Sequence, residues 1–205
     1  MPELVFNSFV TLLVVVDPLG ISSIFAALTQ GYSEKRKRQA AIWGTILGAA
    51  ILLLFAFAGD VLLGALGIGL AAFRTAGGIL LFLLALDMIF ASPSGLRSRS
   101  IREQEEEQYH QDITVFPLAI PLIAGPGAIT TVLLYTGGKD LAGVAAFVVV
   151  LLAVMLLMLA ALLLAPRIMR LFGETGSNVL TRVLGVLLAA LAVQFVFDGI
   201  KSSLG

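Results

Sequence analysis

Six stretches of about 20 mainly apolar residues dominate this chain, and each is long enough to cross a bilayer as a helix. They run over 4–30, 40–59, 71–90, 113–136, 141–165 and 178–200. Hydrophobic residues make up 59% of the 205 positions and charged residues only 13%. That leaves too little polar surface to coat a soluble domain of this size. Lys plus Arg and Asp plus Glu are 13 each, so the chain has no basic footprint and no nucleic-acid partner is expected. There is no cysteine, which excludes thiolate metal sites and thiol redox chemistry. One histidine, His110, falls outside the apolar stretches. The expected fold class is an all-α membrane protein with six transmembrane helices. Neither a cofactor nor a metal is expected.

The N-terminal stretch lacks a basic leader and a small-residue cleavage site, so it is read as a retained first helix. Orientation follows from Lys and Arg in the short loops. Lys35, Arg36, Lys37, Arg38, Arg97, Arg99, Arg102, Arg167 and Arg170 fall in the loops after the odd-numbered spans. Only Lys139 and Lys201 fall on the opposite side. The basic loops are therefore expected in the cytoplasm, with both termini outside the inner (plasma) membrane. The linker 91–112 divides into a basic part and an acidic part, Glu103 to Glu107. It reads as a solvated cytoplasmic segment or as a regulatory surface.

The two halves of the chain, 1–90 and 113–205, share a pattern at an offset of 108 residues. Pro18 and Pro126, Ser22 and Thr130, Ser23 and Thr131, Arg74 and Arg182, and Gly77 and Gly185 all stand at that separation. Three spans per half is an odd number, so the second half must enter the membrane from the opposite side. The arrangement predicted is a 3+3 inverted-topology repeat. Asp17-Pro18-Leu19-Gly20 and Gly125-Pro126-Gly127 interrupt the first and fourth spans near mid-membrane. Proline lacks an N–H and clashes with the preceding turn, and lipid offers no substitute partner for freed backbone groups. Paired broken helices in an inverted repeat point to a secondary transporter, with a polar substrate gripped at the breaks. Simple proline kinks are the plainer alternative. The half-helix after each break presents its amide end, which suits a carboxylate.

Several charged residues also lie within the spans. Asp17 costs roughly 2.5–3.5 kcal/mol near mid-bilayer. Directly before Pro18, it suits an N-cap as well as a ligand role, and the two are compatible. Arg74 and Arg182 begin their helices and Asp87 and Asp198 end theirs, the unfavourable ends for the helix dipole. The third and sixth helices should run antiparallel, which places Arg74 level with Asp198 and Arg182 level with Asp87. Two gating ion pairs follow as a hypothesis, against snorkelling to headgroups. The acids do not align at the repeat offset, because Asp87 maps to Phe195.

Val16 to Gly20, Arg74 to Leu81, and the run from Pro117 through Pro121 and Gly125-Pro126-Gly127 to Thr131 resemble the MarC (UPF0056-type) family of bacterial and archaeal membrane proteins. The likeness covers nearly the whole chain. The resemblance implies membership of the LysE-like exporter superfamily, with a compact inverted three-plus-three fold. It further implies transport of small neutral amino acids of the glycine and alanine class. With the repeat logic, it assigns the substrate to Asp17, Gly20, Ser22 and Ser23 in one half and to Gly125, Gly127, Ala128, Thr130 and Thr131 in the other. H+ or Na+ is the expected coupling ion, and a homo-oligomer is compatible with this reading. The competing function is a passive channel or an exporter for another small solute or ion. An intramembrane enzyme is not expected. No HExxH motif or intramembrane histidine is present, and Asp87 and Asp198 should lie at opposite faces.

Overall fold

Proline and glycine divide the apolar sequence into eight helical elements. The structure, a computed structural model, describes residues 2–90 and 113–204. The charged linker residues, from Arg97 to His110, lie outside the described residues. The elements are α1 (Pro2–Val16), α2 (Pro18–Leu28), α3 (Glu34–Ala65), α4 (Leu70–Phe90), α5 (Thr114–Ile123), α6 (Pro126–Thr136), α7 (Leu141–Leu163) and α8 (Ala165–Leu204). No strand occurs among the described residues.

Five helical stretches are long and apolar enough to cross a membrane: Glu3–Leu28, Glu34–Ala65, Leu70–Phe90, Leu141–Leu163 and Thr175–Leu204. The sixth expected span, 113–136, is instead two short elements. Its first part, α5, is wound as a π-helix. Leu118 N–H donates to Ile113 O at 3.2 Å and Ala124 N–H to Ala119 O at 2.9 Å. Both bonds reach back five residues, across a segment where Pro117 and Pro121 have no N–H to give.

Two loops expected from the charge pattern are helical. Lys35 to Arg38 form the first turns of α3, whose N-cap Ser33 accepts from the Arg36 amide. Arg167 and Arg170 lie at the start of α8, ahead of a kink at Gly173 (φ 62, ψ 178). Short amphipathic turns of this kind bury one side and leave the cations in water.

The packing is reciprocal. α3 packs on α5 and α6, while α7 packs on α1 and α2. α4 packs on α6, while α8 packs on α2. The largest interface joins α4 to α8. Its seam is made of glycines, which let the two backbones approach closely. A methyl at Gly78 would lie 2.7 Å from Ala192 O, and one at Gly185 would lie 2.9 Å from Met88 Cβ. Gly199 sits against Thr75. These contacts run α4 and α8 antiparallel. The small residues of α3 receive side chains from α5, with Leu118 over Gly44 and Ile123 over Gly48. Large apolar side chains such as Phe6, Trp43, Leu54, Phe57, Leu156 and Phe197 face outward, as lipid contact requires.

Candidate functional site

The first and fourth expected spans are each interrupted, and the two interruptions differ in chemistry. At the first, Asp17 alone separates α1 from α2, in the left-handed region (φ 49, ψ 67). Aspartate tolerates that conformation better than most residues because its short polar side chain bonds locally. Here Asp17 Oδ1 accepts from Gly20 N–H at 3.0 Å and caps α2. Pro18 occupies the first helical position, where its missing N–H costs nothing. Asp17 is fully buried. Its other oxygen, Oδ2, accepts from Thr181 Oγ1 on α8 at 3.5 Å. One helical turn below, Ser23 Oγ is 2.8 Å from Ser177 Oγ, also on α8. Ser177 and Thr181, four residues apart, stand on one face of α8 and make a polar seam with α2.

At the second place, Ala124 and Gly125 separate α5 from α6. Gly125 is extended (φ -77, ψ 171), and no side chain caps α6. The first main-chain bond that closes there runs from Ile129 N–H to Gly125 O at 3.0 Å. The amides of Gly127 and Ala128 precede it, and a helix leaves its first amides without internal partners. Both residues line a cavity of about 50 Å³, together with Gly125, Val15, Leu80 and Leu84. The two interruptions adjoin one another. A methyl at Gly127 would lie 3.3 Å from Val15 Cγ1 of α1 and 2.7 Å from Leu84 Cδ2 of α4. The space suits a few water molecules, and its walls are mostly apolar.

A family model described as "MarC family integral membrane protein" matches residues 3–204. The chain belongs to the MarC family. Among its relatives is a UPF0056 membrane protein of Archaeoglobus fulgidus, 37% identical, with the alignment covering 97% of this chain and 93% of that one. The UPF0056 membrane protein YhcE of Escherichia coli K12 is 34% identical over 96% of this chain and 91% of its own. A Methanocaldococcus jannaschii UPF0056 membrane protein is 35% identical over 96% of both chains. No solved structure matches this chain. As a MarC protein with several apolar helices, the chain is an integral membrane protein.

In this MarC protein the residues expected to hold substrate divide into two groups. Gly125, Gly127 and Ala128 line the cavity. Asp17, Gly20 and Ser23 form the cap of α2 and its seam with α8. The hydroxyls of Ser22 and Ser23 donate to Leu19 O at 2.8 and 3.1 Å, and Thr131 Oγ1 donates to Gly127 O at 2.9 Å. Thr130 is buried, with its methyl packed against Gly77 of α4.

Neither expected gating ion pair is formed. Among the described residues, the one ion pair within 4.0 Å is Lys37–Glu34. The antiparallel register does bring Arg74 level with Asp198, because Thr75 meets Gly199. Those two seam residues face one another, which turns the adjacent charged side chains off the contact line. Asp198 Oδ1 instead accepts from Gln194 Nε2 in its own helix at 2.8 Å. Arg182 is exposed to the surroundings and Asp87 is half-buried, and they too are unpaired with each other.

Ser177 and Thr181 are polar partners that the sequence reading did not single out. The stretch before 178 reads as loop by composition, so their shared face was hidden. Their i, i+4 spacing at the head of an apolar helix was the available signal. A second omission is the bridge between Thr11 Oγ1 and Tyr135 OH at 2.9 Å. It ties α1 to α6 beside an aromatic cluster in which Tyr135 stacks on Phe147, ring centroids 5.9 Å apart.

Proposed function

We propose that this protein is a secondary transporter of small neutral amino acids, of the glycine and alanine class, working by alternating access across the inner membrane. The observation that carries this reading is the difference between the two interruptions. Position 125 is the counterpart of position 17 under the 108-residue offset. In the first half a carboxylate built into the chain, that of Asp17, satisfies the amide end of α2. In the second half glycine stands in its place, α6 is uncapped, and Gly127 and Ala128 face a cavity. A substrate carboxylate at Gly127 and Ala128 would do for α6 what Asp17 does for α2. The glycines around it leave room for a small side chain only.

The architecture proposed is six spans in a 3+3 inverted repeat, with α1–α2 and α5–α6 as the two mid-membrane broken helices. The reciprocal packing supports it, since the contacts of α3 with α5 and α6 and of α4 with α6 have counterparts in those of α7 with α1 and α2 and of α8 with α2. So does the matched bonding of Ser23 to Leu19 O and Thr131 to Gly127 O, two bonds related by the same offset. Alternating access would open the small cavity by parting α4 from the α5–α6 junction. H+ or Na+ would supply the driving gradient. The basic starts of α3 and α8 would face the cytoplasm, and both termini the outside.

The test is uptake into proteoliposomes holding the purified protein, with radiolabelled glycine, alanine and larger amino acids, with and without a pH or Na+ gradient. Gradient-driven accumulation of glycine and alanine is the expected result. Uptake that only equilibrates would establish the channel alternative, and no uptake of any amino acid would sink the proposal.

A further inference from the structure

A second, larger cavity shares no lining residue with the first. It has a volume of about 350 Å³ and sits between the C-terminal end of α2, the start of α3 and the α7–α8 junction. One wall is apolar, made of Phe25, Leu162 and Leu163. The other carries Glu34, Lys37 and Arg38. Lys37 Nζ is held by Glu34 Oε1 at 3.0 Å. Arg38 makes no ion pair with any described residue, and Glu34, Lys37 and Arg38 together carry a net single positive charge. Leu163 is 43% exposed and carries the apolar wall out to the surface. Further cations neighbour the lining residues in the chain. Arg36 lies over the Tyr32 ring at 4.3 Å, and Arg167 directly follows the lining residue Pro166.

We propose that this cavity binds the phosphate headgroup of an anionic phospholipid, with Arg38 and Lys37 on the phosphate and the upper acyl chain along Phe25, Leu162 and Leu163. The two walls match the two ends of such a molecule. A free anion would use only the charged wall. A zwitterionic lipid would gain less, because its own cation would meet Arg38. Basic pockets between helix ends are where anionic headgroups are favoured, at roughly 1 kcal/mol per Lys or Arg. The proposal does not depend on which solute the protein carries.

Native mass spectrometry of the full-length protein, purified in detergent and given equal phosphatidylglycerol and phosphatidylcholine, reads this directly. The wild type should retain phosphatidylglycerol in preference. Lys37→Gln/Arg38→Gln should weaken that retention about 30-fold, the loss of two such charges. Arg38→Lys should hold most of it, and Lys139→Gln/Lys201→Gln, with the same change in charge elsewhere, should leave it unaltered. Equal retention of both lipids by the wild type would overturn the proposal, whatever the variants do. So would undiminished phosphatidylglycerol on the double glutamine variant. Thermal unfolding with inorganic phosphate is the second arm. Phosphate alone should not raise the unfolding temperature, and a rise as large as that given by phosphatidylglycerol would overturn the lipid assignment.

Discussion

The two interruptions solve one problem in opposite ways. Each frees main-chain groups inside a protein that must pair all of them. At Asp17 the chain supplies its own anion, buries it completely and sets its second oxygen 3.5 Å from Thr181 of α8. At Gly125 the chain supplies no side chain, winds the preceding segment as a π-helix, and leaves the amide end of α6 on a cavity. The first interruption is therefore built as a joint that holds shape, and the second as a place that can accept something. Sequence symmetry at 108 residues does not require functional symmetry between the halves.

The largest expected effects fall on the joint. Asp17→Ala removes the cap, worth about 1 kcal/mol, and puts alanine in the left-handed region, at about 1–2 kcal/mol more. A loss of roughly 2–3 kcal/mol is expected in denaturant unfolding of the detergent-solubilised protein. Asp17→Gly should lose only the cap, and Asp17→Asn should lose least, because it keeps both the geometry and the acceptor. Equal losses in all three would show that Asp17 acts through its charge and not as a cap. Gly125→Ala comes next. Its methyl would press on the Pro121 carbonyl oxygen, a backbone atom that cannot swing away, and overpacking of this kind costs about 1–3 kcal/mol.

Gly127→Ala should separate the two roles. Its methyl meets the ends of the Leu84 and Val15 side chains, which can shift, so unfolding should change little. The same methyl occupies the cavity and keeps a carboxylate from the amides. Loss of a charge-assisted hydrogen bond, about 1.5–3 kcal/mol, weakens substrate binding by about ten- to a hundredfold. A variant that unfolds early yet still transports would reverse the assignment. The smallest effect is expected at the seam. Ser177→Ala should cost about 0.6 kcal/mol, the average for such bonds between membrane helices. A double-mutant cycle with Ser23→Ala should return most of that as coupling.

Much of this was legible in the residues themselves. Asp17-Pro18 announces a cap and a helix start together, and Gly125-Pro126-Gly127 announces a second start without one. The π-winding of α5 was not legible, because it depends on where the amides freed by Pro117 and Pro121 find carbonyls, and composition does not carry that. The expected ion pairs rest on level along the helix alone. Level was correct for Arg74 and Asp198, but rotation about the axis decides contact, and Gly199 rather than Asp198 faces α4. The division of the site residues into a joint and a cavity was also hidden, since the repeat offset makes the halves look alike.

Equilibrium binding of alanine and of alaninamide to the purified protein tests the central claim most directly, because the two differ chiefly in the carboxylate. Binding of alanine, with alaninamide bound at least tenfold more weakly and both abolished in Gly127→Val, is the result this account predicts. Equal affinity for the two ligands, or alanine binding untouched by Gly127→Val, would contradict it.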